Sequence, residues 1–203
     1  LGVVIVALVY IIYVQISTPL NFNKELAAKK AAVIERIKDI RTAQRSFKSK
    51  YLHFTSTFDS LEAFILTDTL ELERKLVDED DSVGMAMLKK SGKKNIEKFK
   101  IAVIDTIFSP KKLSVEQVKQ LRYIPGTDDK AQFIMEAGYT TASNVVVPIV
   151  ECRAPYKMFL DTVAYRQEII NLIDEEENIF NRYPGVKFGS MESANNEAGN
   201  WED

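Results

Sequence analysis

One cysteine, one histidine and one tryptophan stand among 203 residues, and no charged residue precedes Lys24. The lone thiol, Cys152, excludes an internal disulfide framework and reads as a buried, inert small hydrophobe. The lone imidazole, His53, sits in Lys-Tyr-Leu-His-Phe-Thr. It leaves a His-based metal centre or a Ser-His-Asp triad without nominated partners. No glycine-rich phosphate loop of either common pattern occurs. The formal net charge of −2 supplies no global field for nucleic acid. On these grounds no catalytic residue, metal ligand, cofactor, nucleic acid or small-molecule substrate is expected, and a non-enzymatic role is favoured.

What the sequence does hold is an apolar beginning. Residues 1–14 read Leu-Gly-Val-Val-Ile-Val-Ala-Leu-Val-Tyr-Ile-Ile-Tyr-Val. A spanning helix needs about 20 mostly apolar residues, so a transmembrane anchor is expected over 1–20. The first residue is Leu rather than Met, so further residues are expected upstream. Tyr10 and Tyr13 suit an interface, and Pro19 is expected to mark the exit. Two other readings stay open. A secretory signal peptide has an apolar region of about 7–15 residues, although Val-Gln-Ile-Ser-Thr-Pro-Leu has no Ala-x-Ala cleavage pattern. A buried core helix is the other. Lys24, Lys29 and Lys30 follow the apolar run and would favour a cytoplasmic flank.

Residues 21–56 predict an amphipathic helical stalk. Val33, Ile37, Ile40, Gln44, Phe47 and Tyr51 recur at steps of four and three, with charged residues on the other faces. This stripe either packs on the rest of the chain or meets neighbouring copies. Ile37, Ile40, Gln44 and Phe47 are therefore candidate interaction residues.

Arg41, Ala43, Gln44, Phe47, Tyr51, Phe54, Thr55, Phe58 and Leu61 follow the uncharged helix in an order that resembles type IV pilins and pseudopilins. Those proteins often carry Arg-x-Ala-Gln, an aromatic three residues later, a Tyr, and then Phe-Thr with a following Leu. Where that family has a glutamate five residues into its mature helix, this chain has Ile5. The whole chain is also similar to single-pass envelope proteins of Gram-negative bacteria. The resemblance implies a bacterial inner-membrane location with a periplasmic head, against the flanking lysines. It also implies a structural subunit of a secretion, pilus-like or other inner-membrane assembly. The partners would be membrane lipid, other envelope proteins and copies of the chain itself. The alternatives are a solitary tethered module that binds peptide or glycan on a hairpin edge, and a tethered enzyme.

The remainder predicts an α+β head over 57–191. Helices are expected over 58–76, from Ser82 through Leu88, and from Ser114 through Leu121. An acidic run at 78–81 reads as a solvated turn, and Lys89, Lys90, Lys93, Lys94, Lys98 and Lys100 as a solvated basic face. A strand is expected over 99–108, ended by Pro110. Two strands, 132–137 and 145–154, flank a loop at 138–144 to form a hairpin, with Pro148 confining the second to an edge or bulge. A long C-terminal helix is expected over 156–182, then a short strand between Gly185 and Gly189. The last residues, 192–203, form a polar acidic tail. There Trp201 is a candidate docking anchor, or the tail folds back onto the head.

Overall fold

The computed structural model describes residues 2–78, 80–92, 94–109 and 111–202. Its first element, α1, is one helix over Gly2–Tyr51, about 75 Å long at 1.5 Å per residue. The helix has two unlike halves. From Val3 to Leu20 the large apolar side chains are exposed, and this is a helix long and apolar enough to cross a membrane. From Phe22 on, one face turns inward: Phe22, Val33, Ile37, Ile40, Ala43, Gln44 and Phe47 are all buried.

Pro19, the expected exit from the membrane, does not end the helix. Proline's fixed φ is helical; its costs are a missing N–H and crowding at the carbonyl four residues back. Thr18 Oγ1 and Ser17 Oγ both donate to the Val14 carbonyl, at 2.8 and 3.4 Å, within the same turn. Nor does a free stalk follow. Phe22 is only 5% exposed, and its ring centroid lies 5.4 Å from that of Tyr165. The helix is the spine of the head from that point.

The helix ends at Leu52, whose N–H donates to the Lys48 carbonyl at 2.8 Å. Leu52 has φ of 64°, a left-handed conformation that glycine normally fills at this position. Next comes α2, Phe58–Thr67, which buries Leu61, Phe64 and Ile65. The expected helix over 58–76 stops there. Beyond Asp68 the sequence alternates Leu70 and Leu72 with Glu71 and Glu73, a period of two that suits a strand. The strand, β1 (Thr69–Arg74), pairs antiparallel with β2 (Glu97–Ala102). Between them α3, Ser82–Lys90, is capped by Asp81, whose side chain accepts from the N–H groups of Val83 and Gly84.

The expected strand over 99–108 is likewise divided. β1 begins at Thr69, opposite Ala102, so residues further on have no pairing partner. They turn into α4, Val103–Ile107, with Val103 buried. The expected terminator Pro110 lies outside the described residues. α5, Val115–Lys119, starts with a reciprocal capping box between Ser114 and Gln117.

The main sheet has order β3-β4-β5 and is antiparallel. β3, Ile134–Ala142, and β4, Val145–Pro155, are joined by Ser143 and Asn144 alone. Both have positive φ, 50° and 65°, as the tight hairpin turn matching strand twist requires. Residues 138–142 are strand rather than loop. β4 is central in this order, but only from Glu151 on; at Pro148 it is an edge. β5, Gly185–Gly189, pairs only with 151–155 of β4, so Pro148 lies beyond β5. There it pairs with Tyr139 of β3 alone. Proline cannot donate to a ladder, so its nitrogen suits the side that β5 has left.

The long C-terminal helix is absent. Residues 156–182 instead form α6 (Tyr156–Phe159), a turn, α7 (Arg166–Asp174) and a π-helical turn at Glu175–Ile179. Tyr156, Phe159 and Leu160 are buried together, which a straight continuation would not allow for the residues that follow. Leu160 is extended, and Asp161 restarts a helical turn, its Oδ1 accepting from Val163 N and Ala164 N at 2.9 Å each. As a result Val163, Ile179 and Phe180 are exposed rather than on an apolar face.

Two measurements on the detergent-solubilised chain follow. Ile40→Ala removes a fully buried side chain and lowers unfolding stability by about 2–5 kcal/mol. An unchanged denaturation midpoint would contradict the spine role. Leu52→Gly relieves the left-handed strain and raises stability by about 1 kcal/mol; a loss would show that the leucine side chain matters more than its backbone.

Candidate interaction surfaces

Three of the four candidate residues on α1 are fully enclosed by their own chain: Ile37, Ile40 and Gln44. Phe47 is nearly so, with its ring against Phe64 at 5.2 Å. Gln44 explains how a polar residue fits the stripe. Its Nε2 donates to the Thr55 carbonyl at 2.7 Å and to Met135 Sδ at 3.0 Å, and its Oε1 accepts from Thr55 N at 3.2 Å. The side chain thus holds the chain that leaves α1 against β3. This face is core, so it offers a partner nothing.

Trp201 is brought to a different face of the same helix. It is partly buried, with the Arg41 guanidinium 5.3 Å from its ring centroid. Arg41 also binds Glu202 at 2.7 Å, and Arg45 and Lys48 bind Glu197 at 3.0 and 3.3 Å. The tail is tied to β5 as well. Gly189 N donates to the Ala198 carbonyl, and the Asn200 side chain accepts from Lys187 N and donates to the Gly185 carbonyl. The tail therefore folds back as a strap over a basic stripe. The signal was present in the sequence: Arg41, Arg45 and Lys48 recur at helical spacing, and the tail carries Glu197 and Glu202. Neither half alone identifies the other. Asp203 of the tail lies outside the described residues.

Other charged groups have local work. Asp68 accepts from Tyr51 Oη and pairs with Lys50 at the end of α1. These two hydrogen bonds hold its carboxyl at about 2. The basic cluster is partly a cross-strand ladder, Lys98 with Glu73 and Lys100 with Glu71. Lys89 and Lys90 occupy the last turn of α3, where cations suit the helix dipole. Lys93, and Glu79 of the acidic run, lie outside the described residues. His53 stacks edge-on against Phe47 at 5.5 Å. Cys152 is fully buried, and desolvation pushes its thiol pKa far up, which makes it unreactive. Among the described residues no cluster of three His, Cys, Asp or Glu side chains could hold a metal ion.

The open surfaces lie elsewhere. Tyr139, Val145 and Val146 are exposed on the hairpin. Beside it a cavity of about 250 Å³ is lined by Lys48, Val147, Pro148, Val150, Ser190 and Glu197. Leu76, Val83, Met87 and Ile96 are exposed on the arm formed by β1, α3 and β2. No family model, curated protein or solved structure matches this chain.

The strap responds to pH in a defined direction. The Gly199 N–H and then Arg41 hold the Glu202 carboxyl below its ordinary 4.5. A depressed carboxylate stabilises the fold above its unfolded value, and that contribution is lost as pH falls through the folded value. Trp201 is the sole tryptophan, so its fluorescence should shift red on acidification below 4.5, and Arg41→Ala should produce the shift at neutral pH. Emission unmoved in both cases would contradict the docked strap.

Proposed function

We propose that this chain is a membrane-anchored, non-enzymatic envelope protein, a subunit of a secretion, pilus-like or other inner-membrane assembly in a Gram-negative bacterium. Its head faces the periplasm. The observation that carries the reading is the division of α1: from Val3 to Leu20 its large apolar side chains are exposed, while the remainder is the spine of the head. A helix exposed on all sides and apolar on all sides needs lipid or other apolar helices around it. Residues 2–20 extend about 28 Å, close to the roughly 30 Å of a bilayer's hydrocarbon core. The pattern from Arg41 to Leu61 that resembles pilins and pseudopilins supports an assembly over a lone anchor.

The solitary binding module has one observation in its favour, the cavity beside the stretch of β4 that β5 leaves unpaired. Pro148 weakens it, since it removes a donor from that stretch and blunts strand addition.

A membrane-impermeant cross-linker added to spheroplasts tests assembly and orientation together. The expected result is one reproducible set of adducts through the head. Adducts formed only by a permeant reagent would place the head in the cytoplasm, and an isolated monomer with either reagent would favour the solitary module.

A further inference from the structure

We propose that the turn at residues 161–165, with Arg166 after it, is a lipid-contacting foot that seats the head directly on the bilayer surface. This rests on the membrane-spanning reading of residues 2–20.

Height comes from α1 itself. Phe22 stands about 3 Å beyond Leu20 along the helix axis, within a headgroup layer about 5–7 Å deep. The Tyr165 ring is packed on Phe22 at 5.4 Å. Tyr165 therefore stands at the level where amphipathic rings concentrate in membrane proteins. Two residues before it, Val163 is 91% exposed, more than any large apolar side chain from Val3 to Leu20. Its position is fixed: Asp161 Oδ1 holds the Val163 and Ala164 N–H groups, and the Tyr165 N–H donates to the Asp161 carbonyl at 3.0 Å. Lys24 and Arg166 flank this level, exposed and without an ion pair among the described residues. The nearby acids are largely engaged. Glu25 pairs with Lys29 at 2.7 Å, and Asp161 caps its own turn, which leaves Glu168. A tyrosine, an outward valine and two free cations beside a membrane exit match the chemistry of a phospholipid surface.

The test uses the full chain in nanodiscs of phosphatidylcholine and phosphatidylglycerol, with spin labels at single introduced cysteines. Cys152 is buried, so the unmodified chain serves as an unlabelled blank. Val9→Cys reports the apolar helix, Val163→Cys the foot, and Val146→Cys the hairpin beside the far end of α1. The expected result is a ratio of oxygen to nickel-chelate collision several-fold higher at 163 than at 146 and below that at 9. A ratio at 163 equal to that at 146, with 9 still in lipid, would overturn the foot alone. A water-exposed label at 9 would overturn the anchor and the foot together.

Discussion

The structure depends on one helix that must satisfy two environments without a break. Over residues 2–20 α1 offers apolar side chains on every side, and its own chain covers none of the apolar window. Over the following turns the same helix buries one face under the head and keeps charge on the others. A continuous α-helix can make this change because its backbone hydrogen bonds are internal in either medium. Pro19 sits at the change of character, and the helix passes through it.

Everything else is laid against a particular face of α1. The apolar face, in which Ile37, Ile40 and Phe47 are buried, takes α2, α4 and β5. Gln44 joins this face to Thr55 and Met135, with both Nε2 hydrogens donated and Oε1 accepting. The basic face takes the tail, through Arg41, Arg45 and Lys48. The end of the helix takes Asp68, through Lys50 and Tyr51. Motion of the helix relative to the head would break all three sets at once. A head fixed this way holds a set height and orientation above its anchor, which is what a subunit presented to an assembly needs.

The parts legible in the sequence were those set by composition and long periodicity. An uncharged run and a stripe of alternating three and four spacing identify α1, and Ser114 as a helix start identifies α5. The misread parts share a different cause. At Asp68 and at Asp161 a single carboxylate ends one element and begins another, and what it binds comes from elsewhere in the fold or from the new turn itself. Local apolar pattern alone therefore carried the expected helices through 58–76 and 156–182. In the same way, Ser143 and Asn144 carry no glycine to announce a two-residue turn, so the hairpin loop was read too long. The interaction candidates on α1 were legible as a stripe. That Trp201 lies on the neighbouring basic face required matching two segments more than 150 residues apart, as in the Arg41–Glu202 pair.

Hydrogen–deuterium exchange of the full chain in nanodiscs tests the central claim most directly. A single helix shared by bilayer and head predicts slow exchange throughout residues 2–47, with no fast window around Pro19. Rapid exchange confined to residues 17–24 would contradict it, because it would reveal a hinge between an anchor and an independent head.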